Sequence, residues 1–310
     1  MKDDSALASP AAGGHCVLVA DLGGTRLRAA VVDASGAVLC KEAIATPKDD
    51  PAALARVMRL VLQRAKGGVA GAVAGVPGPV DYSNGDVVKL PNLPGWEETV
   101  RASSLSAELG LPVLIANDAD LAALGEHRYG AGRGSDDMLY VTSSTGVGAG
   151  VIIGGRLLHG RLSLAEAGHI IIDLSAGGTL EGMGSATALA RAAGEDAASV
   201  AARAAKGDPD ATQFFKRAAN AFAVGVFNLV HCFSPQLVVI GGGMSQAGEL
   251  LLGPVKRELE TCGRACPASQ ARVVRADGGD DVGLRGGFAY WMDCEKDTAR
   301  PSDAHKPGGE

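Results

Sequence analysis

Apolar residues follow two alternating rhythms along this chain. Residues 16–20 form an unbroken apolar run that stops at Asp21-Leu22-Gly23-Gly24-Thr25; a second run covers 27–32, and 37–45 supply a third after Asp33-Ala34-Ser35-Gly36. Short apolar runs divided by turn residues predict a meander of β-strands. The rhythm then changes. Leu54, Val57, Met58 and Val61 recur at helical spacing behind Pro51, a residue suited to a first turn, so 51–66 reads as a helix. A strand over 69–75, a helix over 103–109 and a strand over 113–116 complete one α/β unit.

The pattern then starts again. A helix is predicted over 119–129, followed by strands 138–142 and 148–153 joined by Ser143-Ser144-Thr145-Gly146. Helices 186–193, 198–206 and 211–233 come next, then a buried strand 237–240 ending in Gly241-Gly242-Gly243, a helix 250–259, a strand 272–276 and a helix 282–292. Two α/β units, each opening with a hairpin whose turn holds Gly and Thr, imply a duplicated α/β fold with a cleft between two lobes. The expected division is a small N-terminal lobe over 15–117, a larger lobe over 118–281 and a final helix, 282–294, returning to the first lobe. Residues 1–14 and 295–310 read as tails.

Composition narrows the function classes. The 310 residues are 46% hydrophobic and 21% charged, with 44 glycines clustered where apolar runs end. A formal charge of −6 offers no electrostatic footprint for nucleic acid or a membrane surface. No segment reaches the ~18 apolar residues a spanning helix needs. The first residues carry Asp3 and Asp4 in place of a basic region, which argues against a secretory signal and for the cytoplasm. The six cysteines contain no C-x-x-C pair; Cys262 and Cys266 could share a helix face, yet nothing nearby completes a tetrahedral set. Reduced thiols, mostly buried, are expected.

The candidate chemistry sits in the turns. Gly23 and Gly24 let backbone N–H groups approach a bulky anion, Thr25 adds a hydroxyl, and Asp21 at the strand end could reach Mg²⁺ through water. The stretch from Ser144 through Thr145 and Gly146 to Gly150 repeats this chemistry in the second unit. Neither G-x-x-x-x-G-K-[ST] nor G-x-G-x-x-G occurs, which disfavours a P-loop or dinucleotide-binding protein. Asn117-Asp118 follows a strand and precedes a helix, the place where carboxylates face a ligand crevice. Asp118 could instead cap that helix, but Asp120 is an equally good cap and leaves Asp118 freer. Glu166 and His169 can point from one loop at one small polar ligand, or be a surface acid and a packed imidazole. Asn92, in the proline-stiffened stretch Pro91-Asn92-Leu93-Pro94-Gly95-Trp96, offers an amide suited to a sugar hydroxyl, or simply rides on a connecting loop anchored by Trp96.

Together these segments resemble the ROK family of sugar kinases and sugar-responsive repressors, over roughly residues 16–292, with the bacterial glucokinase type as the nearest pattern. The resemblance implies a two-lobed sugar-kinase/actin-like (ribonuclease H-like) fold. It implies phosphate loops at Asp21, Gly23, Gly24 and Thr25 and at Thr145 and Gly146, with Gly241, Gly242 and Gly243 receiving the adenosine. It also implies sugar contacts from Gly78, Asn92, Asn117, Glu166, His169 and Glu181, and Asp118 as the catalytic base. One departure stands out: the family's cysteine-rich zinc segment after the His is missing. Residues 170–180 hold no cysteine, and Thr179 stands where one would be. Zinc is therefore expected to be absent.

The expected activity is ATP- and Mg²⁺-dependent phosphorylation of a hexose hydroxyl, glucose to glucose 6-phosphate first. Fructose, mannose, N-acetylmannosamine or N-acetylglucosamine remain open alternatives. A sugar-responsive repressor is the rival from another class. It is disfavoured by the acidic charge and by the 15 residues before the first strand, too few for a DNA-reading domain. Sugar and ATP are the expected partners, with no nucleic acid or membrane, and the resemblance implies a homodimer.

Overall fold

The computed structural model describes residues 16–65, 68–163, 166–175, 177–263 and 270–299. The expected tails at 1–14 and beyond 299, and the Cys266 half of the cysteine pair, lie outside these.

The first unit runs β1 (Cys16–Leu22), β2 (Arg26–Val32), β3 (Val38–Ala45), α1 (Ala53–Arg64), β4 (Val69–Val76), a short hairpin of β5 (Val80–Asp81) and β6 (Asp86–Val87), α2 (Ala102–Leu109) and β7 (Val113–Asn117). Helix α3 (Asp118–Tyr129) leads to β8 (Met138–Ser143), β9 (Val147–Ile153) and β10 (Arg156–Leu158). A 3-10 turn, Ala167–His169, precedes the small ribbon of β11 (Ile171–Asp173) and β12 (Gly178–Thr179). Next come α4 (Leu180–Gly184), α5 (Ala186–Ala193), α6 (Ala197–Ala205), α7 (Pro209–Phe233), β13 (Leu237–Gly241), α8 (Glu249–Gly263), β14 (Arg272–Arg275) and α9 (Val282–Ala299).

The duplication inferred from the layout is visible in the sheets. One has the order β3-β2-β1-β4-β7 and the other β10-β9-β8-β13-β14. In each, an antiparallel meander is extended by two parallel strands. Strand β1 is buried along nearly its whole length, as an apolar run covered on both faces must be, whereas the edge strand β3 alternates exposed and half-buried positions. Leu54, Met58 and Val61 of α1 cover one face of the first sheet, and Phe215, Phe222 and Val226 of α7 cover the outer face of the second.

Helices α3 and α9 fill the space between the sheets. Leu121 joins Val17, Val19 and Val73 with Leu284, Phe288 and Trp291, while Ala123 and Leu124 join Met138, Tyr140, Ile152 and Val239 with Ala289. The two helices touch backbone to backbone. A Cβ on Gly286 would lie 1.7 Å from the Leu121 carbonyl oxygen, and one on Gly125 would lie 2.0 Å from that of Val282. Helix α3 therefore serves both lobes and is no clean boundary at 118. Helix α9 runs to Ala299, past the predicted end at 292, because Asp293 pairs with Arg128 and Asp297 with Arg156 along its last turns. Residues 295–299 are thus helical, not tail.

Cys16 is buried and Cys40 and Cys294 are half-buried, but Cys232 is exposed. Among the described residues no helix is long and apolar enough to cross a membrane.

Candidate active site

Parallel register brings the candidate residues to one edge of each sheet. Asp21 of β1 pairs with Gly75 of β4, and Val76 with Asn117 of β7, so the carboxyl ends of three strands lie side by side. In the second sheet Gly241 pairs with Thr142, which sets Gly242 and Gly243 beside the Ser143–Gly146 turn. Such strand ends are where open α/β sheets receive ligands.

The first turn is pinned from outside. Gly23 N–H donates to the Arg26 carbonyl at 2.8 Å, and the Thr46 hydroxyl donates to the Gly23 carbonyl at 2.7 Å. Gly24 lies flat against Asn92, whose Cβ would be 3.2 Å from any Cβ at position 24. Gly23, Gly24, exposed Thr25 and Asn92 thus share one lip. Asp21 is not free: its Oδ2 is bound by the Arg28 guanidinium, which the hairpin register places directly opposite. Arg28 also lies 3.9 Å from Asp281. A water-bridged Mg²⁺ at Asp21 would have to share that carboxylate with an arginine.

Gly78 has φ +90°, and a Cβ there would sit 2.5 Å from the Lys89 carbonyl oxygen and 2.8 Å from Pro91, so only glycine lets the 89–91 stretch lie across it. The Asn92 loop is held from both sides. Glu97 accepts the N–H groups of Leu90 at 3.2 Å and Gly95 at 2.9 Å, and fully buried Trp96 donates its indole N–H to the Lys48 carbonyl at 2.9 Å.

The cap of α3 is neither Asp118 nor Asp120. Asn117, with extended backbone, accepts the N–H groups of Ala119 at 2.9 Å and Asp120 at 3.2 Å on Oδ1, and donates Nδ2–H to the Gly78 carbonyl at 3.0 Å. Its amide mainly welds the β7–α3 junction to the Gly78 turn, leaving one N–H for a ligand. Asp118 is thereby released from capping; its Oδ1 accepts the adjacent Ala119 N–H at 2.8 Å. Burial pushes its pKa up to about 7, helped by the negative charges of Asp21 and Glu166. Asp120 is fully buried beneath it, with the Tyr82 hydroxyl donating to Oδ2 at 2.7 Å.

Glu166, His169 and Glu181 converge on the second turn. His169 is 79% exposed, with Nε2 3.9 Å from Glu166. Burial raises the Glu166 pKa, His169 opposes the rise, and Glu181 adds to it. Glu181 Oε2 accepts the Val147 N–H at 3.0 Å, and a Cβ on Gly146 would come within 2.3 Å of that oxygen. Glu181 is aimed by its helix. Leu180 N–H donates to the Ile170 carbonyl at 2.8 Å, and the Thr179 hydroxyl caps α4 by accepting the Gly182 N–H at 3.1 Å. Thr179 thus does structural work where the resemblance led to expect a thiolate. Among the described residues no group of three His, Cys, Asp or Glu side chains is arranged to hold a metal.

The carboxyl edge of the second sheet depends on glycine. Gly242, at φ +80°, would drive a Cβ within 2.3 Å of the Ser143 carbonyl oxygen, whereas Gly243 faces open space. Thr145 is exposed, with its carbonyl held by the Thr187 hydroxyl at 2.7 Å. Arg28, Tyr82 and Thr187 carry no expectation from the sequence, and Asp120 is expected there only as a helix cap; the Asp21–Arg28 pairing is available from hairpin register alone.

Two sheets of like order, facing each other across α3 and α9 and each offering a glycine-rich hairpin turn at its carboxyl edge, define the two-lobed sugar-kinase/actin class of fold. The chain belongs to the ROK family, whose model matches residues 17–294. It is 34% identical over 272 residues to a glucokinase of Thermotoga maritima, covering 77% of this chain and 85% of that protein. The crystal structure of a ROK family glucokinase from Streptomyces griseus, in complex with glucose and AMPPNP, superposes with a TM-score of 0.76 at 29% identity, covering 89% of this chain and 98% of that one. The ROK hexokinase from Thermus thermophilus gives a TM-score of 0.76 at 30% identity, covering 91% and 99%.

Proposed function

We propose that the protein phosphorylates a hexose with ATP, glucose at its 6-hydroxyl first, with Asp118 as general base. The observation that carries this reading is a carboxylate at the head of α3, spared from capping by Asn117 and raised to about 7. The glycine turns at 23–25 and 144–146 present N–H groups at the carboxyl edges of the two sheets. The sugar hydroxyl oxygen attacks the γ-phosphorus, the bond from that phosphorus to the β–γ bridging oxygen breaks to release ADP, and the hydroxyl proton passes to Asp118. General-base help of this kind contributes about 10²–10⁴ in rate. The rest comes from positioning and from N–H groups and hydroxyls facing the transferred group.

Asn92, the remaining N–H of Asn117, Glu166, His169 and Glu181 hold the other hydroxyls, with Gly78 shaping the floor. Gly241, Gly242 and Gly243 receive the nucleoside. Asp21, shared with Arg28, would hold Mg²⁺ through water, and the ion would supply charge neutralisation at the phosphates. The kinase works without zinc. On the family resemblance it is a cytoplasmic homodimer.

ADP release measured across a panel of hexoses, with and without Mg²⁺, tests the reading. Turnover is expected with glucose and to require Mg²⁺. Turnover with none of the sugars would overturn it.

A further inference from the structure

Asp120 lies two residues beyond the base, and nothing above gives it a task. Its side chain is wholly shielded from solvent, Tyr82 donates to Oδ2 at 2.7 Å, and Oδ1 has no hydrogen-bond partner among the described residues. The groups that face it are Tyr82 from the loop after β5, Asp118 at the head of its own helix, Glu166 ahead of the 3-10 turn and Tyr290 from α9. Strand β9 approaches through Gly150, which brings no polar side chain. Two acids and two phenols surround it; among the described residues no lysine, arginine or imidazole pairs with it. A buried carboxylate without a cation is costly, so the group keeps its proton instead.

The same contacts tie Asp120 to the reacting end of α3. Tyr82 oxygen accepts the Asn117 N–H at 3.2 Å while its own hydrogen goes to Asp120. A short relay therefore runs from the Asn117-Asp118 junction through a phenol to this carboxyl. Tyr82 is steadied from the second lobe by His159, with ring centroids 4.5 Å apart.

We propose that Asp120 is a positioning residue: a neutral carboxylic acid that holds the Asn117-Asp118 turn through Tyr82, and whose ionisation at alkaline pH stops turnover. This rests on the kinase reading of Asp118. Burial raises the Asp120 pKa to about 8, against the opposing pull of the Tyr82 hydrogen bond and with added push from Asp118 and Glu166. The neutral form persists below that value. Above it, a second buried negative charge forms less than a turn from the Asp118 carboxylate, and repulsion between the two displaces the Asn117-Asp118 turn from the place where it accepts the hydroxyl proton.

The test is the pH dependence of kcat for wild type and Asp120→Asn, joined to infrared difference spectra of the same two proteins. Wild type is expected to lose activity as pH rises through the Asp120 pKa. The Asn variant should keep kcat within about threefold near neutrality and lose that alkaline fall, or shift it up by about a unit or more. The wild-type spectrum should carry, near neutrality, a protonated-carboxyl band in excess of the Asp118 and Glu166 signal left in the variant, and alkali should bleach that excess. An unmoved alkaline limb, no such excess, or a folded variant with kcat down more than about tenfold near neutrality would overturn the proposal. A wild type that phosphorylates no hexose would refute the kinase reading, and the excess band would then decide whether Asp120 is neutral.

Discussion

Glu126 is the sharpest test of how α3 is held. It is fully buried, and its carboxylate accepts three backbone N–H groups: Ala131 at 2.8 Å and Asp277 at 3.1 Å on Oε2, and Gly278 at 2.8 Å on Oε1. Gly130 and Gly278 leave room for it, since a Cβ at either would lie 2.1 Å or 2.9 Å from its oxygens. The carboxylate thereby clamps the end of α3 to the segment that enters α9. Glu126→Gln preserves size and keeps one carbonyl oxygen for the first pair, but turns an NH₂ toward the Gly278 N–H. A buried donor left facing a donor costs about 1–3 kcal/mol, and the other two bonds lose charge assistance worth about 1 kcal/mol together.

The expected loss is therefore about 2–4 kcal/mol, a large share of the ~5–15 kcal/mol typical of a fold. With an unfolding entropy of ~2.1 cal/mol/K per residue, Tm should drop by about 3–6 °C for a chain of this length. Calorimetry and urea unfolding at neutral pH measure it, and Glu126→Ala, which strips all three acceptors, should cost more. The kcat of Glu126→Gln at 25 °C should stay within about threefold, because the Asn117 cap at the other end is untouched. A stability change below about 0.5 kcal/mol, or Ala milder than Gln, would refute this reasoning.

Three further outcomes follow. Gly286→Ala should cost more than about 3 kcal/mol or prevent folding, since its methyl would meet the Leu121 carbonyl oxygen at 1.7 Å; a near-native Tm would show that the helices do not cross so closely. Thr179→Ala removes a cap worth about 1 kcal/mol from the short helix that aims Glu181, so the sugar KM should rise severalfold with little change in Tm, and an unchanged KM would separate Glu181 from that cap. Dialysis against a zinc chelator with Mg²⁺ in excess should leave activity intact, and a loss restored by zinc would contradict the zinc-free reading.

The fold was legible wherever a local period carried it. Strand β1 shows as a continuous apolar run and α1 as a 3.6-residue period, and the recurrence of hairpin, glycine turn and helix exposed the duplication. What stayed hidden depends on long-range contact. Nothing near Gly125 or Gly286 says that they meet each other's helices, because a glycine admitting a distant backbone looks like any other. The cap of α3 was misjudged for a related reason: Asn117, Asp118 and Asp120 are all good capping residues, and only the observed backbone selects the first. Asp120 reads from the sequence only as a cap, because its burial comes from Tyr82 and α9, both remote in sequence. Asp21 was read as available, although a two-strand register would have set Arg28 opposite it.

The most direct measurement is the pH-resolved kinetics of Asp118→Asn against wild type. Wild-type kcat should climb as pH rises through about 7, because the raised pKa leaves the base form populated only above that value. The Asn variant should bind sugar almost normally, turn over about 10²–10⁴ times more slowly, and lose the acid limb. A variant that keeps wild-type turnover and the same limb would mean that another group takes the hydroxyl proton.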